Sequence, residues 1–348
     1  MMSGPSVRLR RTCVGKGEKV SAPVVTLSVI VAMCDVREFC RTALKSLALN
    51  AREDFEFIVV DDCSVDGTSE ILREMVPGIP GAVLIRNERN LGISATRNIG
   101  LAAARGRFFT FLDGDDWYAP GYLAQLVGWM SESGVDFLRT GHVRVYGRKR
   151  KIVMAPLAPR ALPLDPADYI GPVDASTFMD YPQSWAGIYD RERLRQADAL
   201  FFDESLRTAE DRPWFYKLHL RMRSFGVVDL HGVFYRRDVS TSLTKVPDER
   251  QLDFLPAFRM IFDELSHHPR GYELSFKAMR TLCALIVIHL GREEQYEELT
   301  RDLLRARGAQ ILFDLPQDIL EGTLAGMDSA RVTKLRELMS QHQGAAAR

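Results

Sequence analysis

Four short apolar runs alternate with helix-like segments through the first third of the chain: VVTLSVIVAM (24–33), FEFIVVDD (55–62), AVLIRN (82–87) and RFFTFLD (107–113). Each is close to continuously apolar rather than alternating with polar residues, the pattern of a strand buried on both faces. Between them, residues 37–48, 69–75 and 94–104 read as helices, the first with Phe39, Leu44 and Leu47 on one side. A further helix opens at Pro120 and runs to about residue 130, proline being suited to a first helical turn. Strands and helices joined by short connections specify a mostly parallel sheet covered by helices, an α/β fold.

In such a sheet, ligands collect at the carboxyl ends of the strands, where loops and helix N-termini converge. Acidic residues stand at three of these ends. Asp35 follows the first strand, Asp61 and Asp62 the second, and Asp113, Asp115 and Asp116 the fourth. Carboxylates crowded within four positions repel one another unless water or a cation intervenes. In an extended backbone Asp113 and Asp115, two apart, point the same way, and Gly114 between them lets the chain bend close to a ligand. Oxygen donors of this kind suit a hard divalent cation, or the hydroxyls and N–H groups of a nucleoside.

Beyond residue 130 the pattern loosens. Residues 150–185 are proline-rich and read as a long surface excursion, and SFGVVDLHGVFYRR (224–237) as strand, turn, strand. After 246 apolar residues recur at helical spacing: Leu255, Phe258, Phe262 and Leu265, then Phe276, Met279, Cys283, Ile286 and Leu290, then Val332, Leu335 and Leu338, with Ser329 as N-cap of the last helix. The expected organisation is a flexible basic tail (1–23), a main unit (24–245) divided near residue 130, a helical region (246–340) and a short tail (341–348).

Lys plus Arg and Asp plus Glu number 46 each in 348 residues, so overall charge points to no nucleic-acid partner. Two local basic runs, 8–19 and Arg144 to Lys151, read as solvated segments or as weak contacts with anionic lipid headgroups, at about 1 kcal/mol per residue. Five scattered cysteines without a CxxC pair form neither a disulfide framework nor a zinc site and fit a reducing cytoplasm. No run reaches the roughly 20 apolar residues of a membrane helix.

VIVAMCD, FEFIVVDDCSVDGT, NLGISATRNIGLAAARGRFFTFLDGDD and the later TAEDRPWF, in this order over residues 24–245, resemble glycosyltransferase family 2. The resemblance implies an inverting enzyme of the GT-A fold, a Rossmann-like nucleotide-binding sandwich, here with a C-terminal α-helical appendix. Residues 24–130 would be the nucleotide-sugar half and 131–245 the acceptor half. It implies a nucleotide-sugar donor, with UDP expected, a glycan or cell-surface polymer as acceptor, and Mg²⁺ or Mn²⁺. Residue by residue, it puts Ala32 and Asp35 on the nucleobase loop, Asp62 at the uracil or ribose, and Arg97 near the diphosphate. Asp113 and Asp115 become the DxD pair, Asp115 as direct metal ligand, with Asp116 as a supporting or helix-capping group. Asp211 becomes the catalytic base with Glu210 beside it, and Arg236, Arg237 and the STSLT segment close over the diphosphate. The chain departs from the family at Ala32-Met33-Cys34-Asp35, where an aromatic residue and an asparagine are usual.

Trp185 and Trp214 are candidate acceptor-groove aromatics, with core filling as the alternative. The helical region offers a surface for homo-oligomerisation or for approach to the cytoplasmic membrane face, packing against the main unit being the default. Two other functions stay open at this level. A haloacid-dehalogenase-type phosphatase also places a DxD after an apolar strand, and a non-catalytic scaffold could keep the binding residues alone.

Overall fold

The computed structural model describes residues 24–156, 158–239 and 246–346, so the expected tail 1–23 lies outside the described residues. The chain opens with β1 (Leu27–Met33), α1 (Cys40–Ala48), β2 (Phe55–Asp61), α2 (Thr68–Met75), β3 (Ala82–Arg86), α3 (Ile93–Ala103) and β4 (Phe108–Asp113). Every residue of β1 and β2 is buried, as their largely apolar composition requires, and the buried Ser28 hydroxyl donates to the Glu56 carboxylate at 2.6 Å. α1 buries Cys40, Ala43, Leu44 and Leu47, one stripe at three- and four-residue spacing.

There follow β5 (Trp117–Tyr118), α4 (Tyr122–Ser133), β6 (Phe137–Thr140), β7 (His142–Tyr146), β8 (Lys149–Val153), β9 (Gly187–Asp190), α5 (Arg191–Gln196), α6 (Asp211–Arg221), β10 (Phe225–Val228) and β11 (Val233–Arg236). Seven strands form one sheet in the order β10-β6-β9-β4-β1-β2-β3, parallel except for β9, which runs against both neighbours. A four-stranded sheet, β5-β11-β7-β8, stands beside it. The chain builds outward from β1 through β2 to β3, then returns to add β4 on the other side of β1. That reversal opens a crevice at the carboxyl ends of β1 and β4, the place where such sheets take ligands.

Several local expectations change. The segment 224–237 is no hairpin: β10 pairs with β6 in the large sheet and β11 with β5 and β7 in the small one. The fourth helix begins at Tyr122 behind Gly121, which takes the left-handed conformation at φ 75°, leaving Pro120 outside it. The stretch 150–185 holds β8 and short 3₁₀ turns.

Five helices complete the chain: α7 (Phe254–Ser266), α8 (Gly271–Leu290), α9 (Glu298–Asp314), α10 (Gln317–Ala325) and α11 (Ser329–Ala346). α11 continues into the expected tail as far as Ala346. Its N-terminus is capped one residue earlier than expected, the Asp328 carboxylate accepting from the Arg331 amide at 3.0 Å. The helical region is fastened to the rest by ion pairs Arg221–Glu264, Lys277–Asp180 and Arg270–Asp168.

Trp214 and Trp185 belong to the core, which corrects the acceptor-groove expectation. Trp214, 2% exposed, stacks on Phe202 at 4.8 Å and meets Tyr189 edge-on. Trp185, 3% exposed, sits against His142 and Tyr235. Neither presents surface to a bound sugar.

Helix α3 lies close on β1 through Gly100, where an added Cβ would stand 2.5 Å from Ile30 Cγ2. Gly100→Val should therefore overpack this contact and lower stability by about 1–3 kcal/mol, read as a lower urea midpoint at unchanged slope.

Candidate active site

One buried guanidinium gathers the acids that the sequence scatters. Arg97, on α3 and 3% exposed, donates from Nη2 to Asp113 at 2.9 Å, and from Nη1 to Glu210 at 2.8 Å and Asp211 at 3.0 Å. Its plane lies within 5.6 Å of the Phe111 ring and 5.4 Å of Phe202. Burial alone would pull the Arg97 pKa down. The adjacent carboxylates of Asp211, Asp113 and Glu210 outweigh it and hold the cation firmly charged. Expected near the diphosphate, Arg97 lies beside Asp113 with both its terminal nitrogens bonded to carboxylates.

The ISATRN segment explains how residues more than a hundred positions apart meet. Ser94, Arg97 and Asn98 share one face of α3 at i, i+3, i+4 spacing. Ser94 Oγ donates to the Leu206 carbonyl at 2.7 Å. Asn98 exchanges bonds with the Phe202 backbone, both at 2.9 Å. The loop so held enters α6 through Ala209, whose φ of 58° is unusual for a residue with a Cβ and costs of order 1–3 kcal/mol. That turn delivers Glu210 and Asp211 to Arg97. The second Asp211 oxygen accepts from the Ser184 amide at 3.3 Å. Burial raises the pKa of both Glu210 and Asp211; Asp113 adds to it at Asp211, and Arg97 opposes it at each. Asp211 also occupies the first turn of α6, where the helix dipole favours its ionised form.

Across the crevice, residues 113–116 form a turn rather than an extended pair, the Asp116 amide donating to the Asp113 carbonyl at 3.0 Å. Gly114 is needed for packing: a Cβ there would stand 3.0 Å from Val36 Cγ2 and 3.1 Å from the carbonyl oxygen of Ala32. Ala32 thus supports this turn from the end of β1. The Asp115 side chain has no ion-pair partner among the described residues, and burial, then Asp113, push its pKa up to about 6. Asp116 is buried and accepts from the Arg236 amide at 2.7 Å, so it anchors β11 instead of capping a helix.

Arg236 donates from Nε to the Asp115 carbonyl at 3.0 Å and lies between the Phe39 and Trp117 rings. Arg237 points elsewhere, donating to the Tyr235 hydroxyl at 2.6 Å, so the two arginines do not act as a pair. The STSLT segment, Ser240 to Thr244, lies outside the described residues.

Asp35 is exposed at the end of β1, bonded to the Val65 amide at 2.8 Å, and lines a cleft of about 860 Å³ with Arg37, Phe39, Asp66 and Gly67. Asp62 has a different task from the one expected. It is 3% exposed and accepts from Asn87, Leu91 and Gly92, which ties the loop after β3 to β2.

Arg139 was not legible in the sequence as a functional residue. Fully buried on β6, it donates to the carbonyls of Tyr181 and Gln183 and to the Tyr189 hydroxyl. It thereby shapes the loop that presents Ser184 to Asp211. An arginine inside an apolar strand, as in DFLRT, was its only signal.

A family model described as Glycosyl transferase family 2 matches residues 28–195. The chain carries a glycosyltransferase family 2 domain. Among relatives, the uncharacterized glycosyltransferase EpsJ of Bacillus subtilis is 27% identical over 229 residues, 65% of this chain and 65% of EpsJ. TarS of Staphylococcus aureus, named a poly(ribitol-phosphate) beta-N-acetylglucosaminyltransferase, is 26% identical over 247 residues, 70% of this chain and 41% of TarS. The match thus spans just under two thirds of EpsJ and less of TarS. The crystal structure of TarS 1–349 with UDP-GlcNAc superposes with a TM-score of 0.67 at 19% identity, covering 92% of both chains. That of GalNAc-T7 with UDP, GalNAc and Mn²⁺ gives 0.51 at 16% identity, covering 68% of this chain and 48% of the other. These likenesses establish the GT-A-like fold. They leave the phosphatase alternative without support, and Asp113, its would-be nucleophile, is held by Arg97.

Replacing Arg97 by Ala would leave three buried carboxylates without their cation, at a cost of about 3–5 kcal/mol. Because the loss arises from ionised carboxyls, it should be greatest at pH 8 and shrink as pH falls and they take up protons, as urea unfolding at several pH values would show. Arg97→Lys should recover only part, since one ammonium cannot reproduce the planar fork.

Proposed function

We propose that the domain transfers a sugar from a nucleotide-sugar donor, with UDP as the nucleotide, to a glycan or cell-envelope polymer. Transfer is by a single displacement that inverts the anomeric centre. The observation that carries this reading is the shared Arg97, which sets the acid after β4 and the acid opening α6 on the two sides of one crevice. Co-crystals of TarS with UDP-GlcNAc and of GalNAc-T7 with UDP support the choice of nucleotide.

Asp35 and the cleft beside it take the nucleobase end of the donor in this reading. Asp113 and Asp115 are the residues that would hold Mg²⁺ or Mn²⁺. Among the described residues no group of three or more His, Cys, Asp or Glu side chains forms a cage. Two carboxylates completed by substrate phosphates are nonetheless a usual Mg²⁺ arrangement, and an unpaired Asp115 under repulsion from Asp113 fits it. Bound there, the cation would neutralise charge on the departing diphosphate. Arg236, fixed between two rings beside Asp115, adds positive charge on the same side. An acceptor hydroxyl is a weak nucleophile at neutral pH, and Asp211 removes its proton as it attacks. Glu210 shares the Arg97 nitrogen with Asp211 and so helps fix where that guanidinium sits.

UDP release from UDP-GlcNAc in the presence of a cell-envelope polymer should fall by about 10²–10⁴-fold in Asp211→Asn, with UDP affinity kept. A variant as active as the parent would refute the assignment. Since Asp211 works only deprotonated and its pKa is raised, kcat/KM should decline on the acid side at a pH above the ordinary aspartate value of about 4, and level off at higher pH. A flat profile down to pH 4 would contradict it.

Mn²⁺ should raise the thermal midpoint further when UDP is present than when it is absent, because the diphosphate completes the ligand set. Asp115→Asn should abolish that added shift while UDP alone still stabilises. An equal Mn²⁺ effect in the variant would exclude Asp115 as a ligand.

A further inference from the structure

The small sheet gathers onto one hairpin of this neutral protein several cations that make no ion pair among the described residues. Cross-strand pairing aligns Arg144 with Lys151 and Tyr146 with Lys149 across β7 and β8, and Tyr235 with Arg144 across β11 and β7. Paired residues share a face, and Arg237, two beyond Tyr235, joins them. One face therefore bears Arg144, Lys149, Lys151 and Arg237; Arg150 lies on the other. Among the described residues none of these five makes an ion pair with a carboxylate, whereas nineteen of the cations elsewhere in the chain do so in 24 pairs. Asp238 stands at the turn of this hairpin, where its carboxylate accepts from the Gly147 amide at 2.8 Å.

The position of the cationic face is as informative as its charge. The same face buries His142, which with Tyr235 packs on Trp185, the neighbour of Ser184 whose amide binds Asp211. A row of cations without ion pairs thus begins beside Tyr235 and His142, which connect through Trp185 and Ser184 to Asp211, and leads outward along the hairpin. The crevice itself is acidic: Asp113, Glu210 and Asp211 share one arginine. An uncharged hydroxyl can enter it, while negative charge on the same molecule is better placed on the cations beyond.

We propose that the acceptor is an anionic polymer, bearing phosphate or carboxylate groups along its length, and that the face carrying Arg144, Lys149 and Lys151 holds it while its hydroxyl reaches Asp211. This rests on the transferase reading of the site and adds the charge class of the acceptor. A membrane surface is the less favoured partner, because the exposed apolar Ile152 lies on the opposite face of the hairpin, paired with buried Val143.

The test compares the full chain with Arg144→Gln/Lys149→Gln/Lys151→Gln, and with Arg150→Gln as the opposite-face control. Binding of a glycerol-phosphate oligomer, an oligogalacturonate and an uncharged maltooligosaccharide is measured by calorimetry at two salt concentrations. UDP-GlcNAc turnover is followed with and without each. The expected result is affinity for one or both anionic oligomers, weakening with salt and falling about tenfold or more in the triple variant, with acceptor-free UDP release unchanged and Arg150→Gln much milder. The two anionic probes distinguish phosphate from carboxylate. Equal binding of charged and uncharged oligomers, or an unaffected triple variant, would overturn the proposal. So would a triple variant that loses only its sedimentation with phosphatidylglycerol vesicles, which would assign the face to a membrane. Absence of UDP release under every condition would count against the transferase reading instead, while the calorimetry would still decide whether the face binds polyanions.

Discussion

The guanidinium of Arg97 is the constraint around which the catalytic half is arranged. Removing a charged group from water is costly, and Arg97 is almost wholly buried. It is tolerable only because three carboxylates and two aromatic rings surround it. Those acids come from β4 and from the start of α6, so the ion cluster fixes the distance between the two sides of the crevice. One cation against three acids also leaves the cluster short of positive charge. Burial is the main reason the proton affinity of Asp211 and Glu210 is raised; neighbouring carboxylates add to it and Arg97 offsets it only in part, a property a base near neutral pH can use.

Most of the large sheet was legible because strands buried on both faces must be apolar throughout. The four runs ending at Met33, Asp61, Arg86 and Asp113 became β1 to β4 within a few residues. The reading failed where tertiary pairing decides. Phe225–Val228 and Val233–Arg236 looked like one hairpin, but each finds its partner in a different sheet. Nothing local to the two strands encodes those partners.

The candidate site shows the same division. Acids at strand ends could be named from the sequence, but their tasks depend on what lies opposite. Asp62 and Asp115 look alike on paper, each closing an apolar run. Asp62 meets three donors from the loop after β3 and becomes structural, whereas the Asp115 carboxylate makes no ion pair among the described residues and stays available. Trp185 and Trp214 are ambiguous for a similar reason, since an aromatic residue serves equally in a groove or a core. Arg139 shows the converse case. Arginines are rarely buried, yet its three hydrogen-bond acceptors are the loop backbone and a tyrosine that only the fold assembles.

The helical region belongs to this arrangement too. Asp253, at the start of α7, accepts from the backbone amides of Arg207 and Thr208 at 2.7 and 3.0 Å. Those residues immediately precede Ala209 and the pair Glu210–Asp211, and the Arg207 side chain reaches back to Asn90. The loop carrying Asp211 is therefore held on one side by Ser94 and Asn98 of α3 and on the other by the cap of α7. A strained backbone turn at Ala209 persists only where its surroundings overdetermine it. Two independent sets of hydrogen bonds supply that condition, and one of them comes from the C-terminal helices. Their packing is thus part of what aims Asp211, whatever further partners those helices take.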